Sequence, residues 1–263
     1  MARRRLDAEL VRRGLASSLD EATGAIQAGL VTVAGAPASN AGALVTGEQR
    51  VDVARPPRDF VSRGGEKLRA GLRRFGVDPA GRDCLDVGAS SGGFTDCLLQ
   101  AGAGRVAAVD VGYGQLAWSL RIDPRVVVLD RTNARELARV ALPFVPTIVV
   151  ADLSFVSLRS VLPALAPVAA TDADFVLLVK PQFEAAPDAV PPGGVVRESG
   201  TWRRAIEDVA AACERAGLGP LAVMASPLRG PAGNAEFLLH ARGGAAALPL
   251  NLDAALEAGG RVA

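Results

Sequence analysis

Lysine is almost missing from this chain. Of its 29 basic side chains, only Lys67 and Lys180 are lysine. A coding bias toward arginine is the simplest account of the skew, and a lysine that persists is then either a chance survivor or one whose role a guanidinium cannot fill. Arginine stays protonated, whereas a lysine amine can give up its proton. A surplus of either charge is missing too. With a net charge of +1 the chain has no uniform basic coat, and any nucleic-acid footprint must be local. No uncharged apolar run approaches the ~18 residues that span a bilayer, and Met1-Ala2-Arg3-Arg4-Arg5 is not an apolar leader. The expectation is a protein neither secreted nor membrane-spanning. Its three cysteines, Cys84, Cys97 and Cys213, are odd in number and lie in apolar segments. That pattern fits reduced, packed thiols in a cytoplasmic protein.

What is present is enough apolar residue, 49% of 263, for an α/β domain of ordinary size plus a small module. The stretch around which the rest is arranged is Asp83 to Thr95. Asp83-Cys84-Leu85-Asp86-Val87 reads as a strand, Gly88-Ala89-Ser90-Ser91-Gly92-Gly93 as a glycine-rich turn, and Phe94 to Ala101 as a helix. Glycines at 88, 92 and 93 allow a sharp turn and close approach of a ligand at a helix start. Four more strands follow, each ending in a polar group: Arg105–Val109 before Asp110, Val126–Leu129 before Asp130 with Asn133 just beyond, Ile148–Ala151 before Asp152, and Phe175–Val179 before Lys180. Asp110 lies 22 residues after Gly88, the distance at which nucleotide folds place a carboxylate for ribose hydroxyls. Asp130 and Asn133 suit an adenine edge, and equally suit helix capping. In open α/β sheets ligands sit beyond the carboxyl ends of the strands, so Asp152 and Lys180 should face the turn after Asp86. A helix over 201–216, strands over 221–226 and 236–240, a Pro/Gly-rich loop over the site at 185–196 and a partly helical tail complete the reading. Glu236 opens the last apolar strand, out of place for packing alone. His240, the single histidine, reads as a surface or strand residue.

The amino-terminal part is different in kind. Leu6 to Arg13 reads as a helix stopped by Gly14, and Ser18 with Glu21 as a capping box opening a second helix that stops at Gly29. Short alternating strands follow at 31–33 and within 44–53. Arg3, Arg4, Arg5, Arg12 and Arg13 lie on or before the first helix, where they could meet phosphates or form a solvated face. Residues 55–82 then carry eight basic side chains against three acids, with Pro56-Pro57 marking a boundary. On the helix read there, Arg63, Lys67 and Arg74, and separately Arg69 and Arg73, share faces. The expected divisions are 1–54, a linker 55–62, a domain 63–245 and a tail 246–263.

Two resemblances follow. Arg5-Leu6-Asp7, Gly14-Leu15-Ala16, Ser18, Glu21-Ala22, Ile26, Gly29 and Val31 to Gly35 resemble the RNA-binding domain first seen in ribosomal protein S four. Lys67, Asp152, Lys180 and Glu236, in that order with the glycine loop, resemble ribose 2′-O-methyltransferases of the FtsJ type. With the module attached, Val61 to Leu68, Gly88 to Thr95, Asp110 to Gln115, Ala151 to Phe155, Val179 to Phe183 and Gly233 to Glu236 make the chain similar to the TlyA family of rRNA methyltransferases, historically labelled haemolysins. The resemblance implies a Rossmann-like class I methyltransferase domain with a seven-stranded, mostly parallel sheet and a small α+β RNA-binding domain. It implies methyl transfer from S-adenosyl-L-methionine to a cytidine 2′-OH of ribosomal RNA of both subunits, with Lys67, Asp152, Lys180 and Glu236 as the catalytic tetrad. Asp86, Gly88, Ala89, Ser90, Gly92, Gly93, Phe94, Asp110, Val111, Asp130, Asn133 and Asp152 are expected at the cofactor. Arg3, Arg4, Arg5, Arg12, Arg13, Arg63, Arg69 and Arg73 are expected at RNA. The partner would be ribosomal RNA or a ribosomal subunit, with no metal and no membrane, and the protein a monomer. The chain departs from the family in its linker, where Arg58-Asp59-Phe60-Val61 carries phenylalanine in place of the usual tryptophan and loses the indole N–H. The rival readings are a ribosome-binding protein with a relic fold and no cofactor, and a small-molecule methyltransferase, which leaves the basic segments unexplained.

Overall fold

Short strands and two helices build the first of two units, Met1–Arg58 and Asp59–Ala263, in a computed structural model that describes residues 3–16, 18–54 and 59–262. In chain order the first unit holds β1 (Arg3–Arg5), α1 (Leu6–Arg12), α2 (Leu19–Gln27), β2 (Val31–Val33), β3 (Ala36–Pro37), β4 (Leu44–Thr46) and β5 (Val51–Val53). The Ser18 hydroxyl accepts the Glu21 N–H at 3.1 Å and starts α2. Leu6, Leu10, Ile26 and Val31 are fully buried and form a core of the unit's own. The strand of three arginines was not readable from composition. Its apolar neighbour Leu6 anchors the chain, and β1 pairs antiparallel with β4, so tertiary contact overrides local preference. Pro56-Pro57, Arg55 and Arg58 lie outside the described residues.

The second unit contains α3 (Gly64–Phe75), β6 (Asp83–Val87), α4 (Gly93–Gln100), β7 (Arg105–Val109), α5 (Trp118–Arg121), β8 (Val126–Leu129), β9 (Ile148–Ala151), α6 (Leu162–Leu165), β10 (Asp174–Val179), α7 (Pro181–Glu184), α8 (Ser199–Arg215), β11 (Leu218–Ala225), β12 (Phe237–Gly243) and α9 (Leu252–Arg261). Its sheet has the order β11-β12-β10-β9-β6-β7-β8, with β6 to β10 parallel and β12 antiparallel to both neighbours. Strand β10 shows why the sequence reads as unbroken apolar runs. Phe175, Leu177 and Val179 face the core containing α8, while Val176 and Leu178 face the one containing α3 and α4. Both faces are covered, so neither can be polar.

Parts of the expected linker, 55–62, and of the expected tail, 246–263, pack on the second unit. Residues 59–61 are packed on the second unit: Phe60 is buried, the Val61 N–H donates to Asp96 at 2.8 Å, and Asp59 pairs with Arg69 at 2.7 Å. The tail is structural as well. Helix α9 buries Ala255 and Leu256 in the α8 core, and Gly259 lies against the Phe237 ring. His240 is buried, bonded to Asp174 at 3.1 Å and stacked on Phe75. Among the described residues no helix is long and apolar enough to cross a membrane.

Candidate active site

The turn after β6 is shaped by what the protein packs against it. Gly88 has φ +85°, and a Cβ there would lie 2.5 Å from the Asp152 carbonyl oxygen. A Cβ on Gly92 would overlap Leu120, and one on Gly93 would overlap Ser62. The glycines thus serve the sharp turn, with Gly92 at φ +99° as well, and the close approach they permit is that of the protein's own segments. Beneath the turn, Asp86 is fully buried. One carboxylate oxygen accepts the Thr95 hydroxyl at 2.6 Å and the other, Oδ1, has no hydrogen-bond partner. Burial pushes its pKa up to about 7, against the opposing pull of the Thr95 hydrogen bond.

A cavity of about 560 Å³ opens beyond the carboxyl ends of β6, β7 and β9. Of the residues expected at a cofactor, Gly88, Ser90, Asp110, Val111, Asn133 and Asp152 line it. Asp86, Ala89, Gly92, Gly93, Phe94 and Asp130 do not: the first five build the turn from beneath, buried or packed against neighbouring helices. Asp130 is turned to Arg121 and the Gly114 N–H, and the guanidinium holds its carboxyl below the usual range. Asp110 ties two loops together, its Oδ2 accepting the Ser90 N–H at 2.8 Å and its Oδ1 the Gly112 N–H at 2.7 Å. Asn133 caps the turn at 134–139 by accepting the Arg135 N–H at 3.1 Å. Asn133 therefore both caps that turn and lines the cavity.

The sheet register brings the four distant residues to this edge. Val179 pairs with Phe237, so Lys180 and Glu236 are the next positions along the β10–β12 pair. Ala151 pairs with both Val87 and Leu177, so Asp152 leaves the strand between the glycine turn and Lys180. Helix α3 delivers Lys67. Lys67 Nζ donates to Glu236 Oε2 at 2.5 Å in a buried ion pair, across 169 positions of sequence. Lys180 Nζ lies 2.6 Å from Asp152 Oδ1, out of line for a hydrogen bond, and donates to the Ser154 hydroxyl at 3.0 Å. Two amines and two carboxylates are thereby held as neighbouring pairs at the carboxyl edge of the sheet, with Asp152 and Ser154 on the cavity wall. Ser154 and Phe155 carried no assignment from sequence. Phe155 is 91% exposed, adopts φ +64° and packs on Phe183. The signal for both was their place in the Ala151 to Phe155 stretch that carries the family resemblance. The 185–196 loop is tied down at its far end: the Val196 N–H donates to Asn234 Oδ1 at 2.9 Å, and Trp202 Nε1 donates to the Val196 carbonyl at 3.0 Å.

Of the arginines expected at RNA, Arg3, Arg4, Arg5, Arg12, Arg63 and Arg73 are exposed, and several are also engaged by carboxylates of the protein. Arg4 stands 3.8 Å from Glu9. Arg5 is paired with Asp7 at 2.5 Å, and Arg12 and Arg13 both donate to buried Glu9, which holds that carboxyl down at about 2. Arg13 also donates to the carbonyls of Thr46, Gly47 and Gln49, which makes it a fastener within its own unit. On α3, at about 100° per residue, Arg63 shares the side of Lys67 while Arg69 and Arg73 point roughly opposite. Arg69 lies over the Phe60 ring at 4.9 Å.

A parallel sheet with one reversed strand, a cavity at its carboxyl edge and paired lysines and carboxylates there define a nucleoside-cofactor methyltransferase of the FtsJ type. The FtsJ-like methyltransferase family matches residues 60–243, and the S4 domain matches residues 4–51. The chain is 52% identical over 244 residues, 92% of its own length and 91% of the relative's, to the 16S/23S rRNA (cytidine-2′-O)-methyltransferase TlyA of Mycobacterium tuberculosis. It is 34% identical, over 90% of this chain and 98% of the other, to Hemolysin A of Brachyspira hyodysenteriae. A solved structure from Streptococcus thermophilus, assigned by name to the hemolysins, superposes with a TM-score of 0.75 at 34% identity, covering 100% of this chain and 96% of that one. The chain belongs to the TlyA family of FtsJ-like methyltransferases.

Proposed function

We propose that this protein transfers the methyl group of S-adenosyl-L-methionine to the ribose 2′-OH of cytidine in ribosomal RNA of both subunits. The observation that carries the reading is the pairing of Lys180 with Asp152, which lines the cavity, beside the buried Lys67–Glu236 pair that the β10–β12 register places next to Lys180. The cavity fits the cofactor: Leu153, Val156 and Val161 give it apolar walls, and Ser90, Asp110 and Asn133 bring polar groups to a nucleoside. When bound, S-adenosyl-L-methionine supplies a methyl group on a sulfonium sulfur, open to in-line displacement by an oxygen. Lys180 holds the attacking 2′-oxygen and takes its proton onto Nζ, a role that requires the amine to be neutral at that moment. Asp152 and Ser154 fix where that amine points, and Glu236 does the same for Lys67. Holding the oxygen in line supplies much of the acceleration. Exposed Arg3, Arg4, Arg63 and Arg73 meet RNA phosphates. The M. tuberculosis relative's name, covering both rRNAs, supports dual specificity.

Replacing Lys180 by Arg keeps the charge and removes a usable base. We expect Lys180→Arg to lower the methylation rate by about 100-fold or more, with cofactor binding by calorimetry retained. Turnover near the parental rate would show that Lys180 is not the base. Binding of S-adenosyl-L-methionine that is lost in Asp110→Ala separates an enzyme from a ribosome-binding protein with a relic fold.

A further inference from the structure

Glu184 is a buried carboxylate near the site to which the mechanism gives no task. Glu184 closes α7, four positions after Lys180, and is 2% exposed. Both of its oxygens are engaged by the loop that descends from Asp152. Oε2 accepts the Ser157 hydroxyl at 2.5 Å, Oε1 accepts the Leu158 N–H at 2.7 Å, and Arg159 Nε stands 3.3 Å from Oε2. The Glu184 carbonyl accepts Arg159 Nη2 at 2.7 Å, and Arg159 Nη1 continues to Asp208 on α8 at 3.1 Å. Burial raises the Glu184 carboxyl above its ordinary range in spite of these partners. Apolar packing does not require an acid here.

We propose that Glu184 is a positioning residue: its carboxylate laces the loop carrying Asp152 to the helix that begins at Lys180, and so sets how the amine meets the carboxylate. The proposal rests on the reading of Lys180 as proton acceptor. The same two segments touch three more times, through Lys180 to Asp152, Lys180 to Ser154 and Phe155 against Phe183. Those contacts lie at the cavity rim, where Phe155 is 91% exposed and meets the Phe183 ring, which Lys180 Nζ also approaches at 5.9 Å. Glu184 is the buried end of the lacing, where the hydrogen bonds are shielded from water and a geometry once set is held. Loss of its negative charge leaves an amide with N–H groups facing the Ser157 hydroxyl and the Arg159 guanidinium, so the loop shifts while the cavity walls at Gly88, Asp110 and Asn133 stay in place.

The test measures kcat, KM and thermal midpoint for Glu184→Gln, Ser157→Ala and the double variant, with S-adenosyl-L-methionine and ribosomal RNA as substrates. A displacement near 1 Å is enough to cost up to about 100-fold in rate. Glu184→Gln is therefore expected to lower kcat by about tenfold or more, with both KM values within about twofold. Ser157→Ala should lower kcat less, and the double variant should lose no more than Glu184→Gln alone, because both break one connection. The pH profile of kcat should shift in Glu184→Gln, since the amine is read through its carboxylate neighbour; a merely structural role would lower the midpoint and leave that profile where it was. An unchanged kcat in Glu184→Gln, or losses that multiply in the double variant, overturns the proposal. If Glu184→Gln does not fold, Ser157→Ala decides alone: a lowered kcat at a preserved midpoint supports the lacing and a parental kcat refutes it. Lys180→Arg, measured alongside, reports separately on the base, because its retention of activity would defeat that reading whatever Glu184 does.

Discussion

Lys67 and Lys180 are each buried against a carboxylate, and their scarcity elsewhere was the first sign of them. In a chain whose other cations are arginines, these two are the amines that the proposed reaction uses, Lys180 at the end of β10 and Lys67 on α3. Asp86 is the counterexample, an acid whose residue type was legible and whose role was not. Read as a cofactor contact, it lies fully buried under the turn. Its pKa of about 7 has a consequence for stability. Between the ordinary carboxyl value near pH 4 and about 7, the folded chain holds a proton that the unfolded chain has released, so the contribution of Asp86 to stability is full at low pH and is lost as pH rises through 7. Urea unfolding of Asp86→Asn across pH 5 to 8 should show a shallower decline than the parent, the difference growing to a few kcal/mol at the alkaline end. Parallel curves would mean that Asp86 is ionised throughout.

Strands were the most legible elements, because a strand buried on both faces leaves no alternative to a run such as Phe175 to Val179 ended by a lone polar group. Their carboxyl ends then located the site. What could not be read was whatever depends on a partner far along the chain. Nothing local marks Arg3–Arg5 as a strand, which exists through pairing with β4. Nothing local distinguishes Arg13, which fastens three carbonyls, from exposed Arg4. The grouping of Lys67 with Glu236 came from family resemblance, since spacing alone cannot show that two residues 169 positions apart meet. The tail of unknown purpose is α9, whose Leu256 belongs to the α8 core. Leu256→Ala should therefore lower unfolding free energy by about 2 to 4 kcal/mol, measured by chemical denaturation, whereas a dispensable tail would give a change below about 0.5 kcal/mol.

The chain as a whole joins two units with separate cores, one carrying an S4 domain and the other the cavity and the paired lysines. Division of labour follows: a fragment of residues 59–263 should keep its affinity for S-adenosyl-L-methionine within about threefold, as calorimetry would show, while losing about tenfold or more in affinity for ribosomal RNA, with a weaker salt dependence because fewer phosphates are met. Equal RNA affinity with and without residues 1–58 would remove the first unit from substrate recognition. The central claim is chemical, that the amine at the end of β10 takes a proton from a ribose hydroxyl so that a methyl group can be placed there. It is tested most directly by mapping 2′-O-methylcytidine, nucleotide by nucleotide, in ribosomal RNA incubated with the purified protein and S-adenosyl-L-methionine. Methyl groups on cytidine 2′-oxygens with the parent protein, and none above background with Lys180→Arg, is the predicted result. Methylation on a base, or undiminished 2′-O-methylation by the Arg variant, would contradict it.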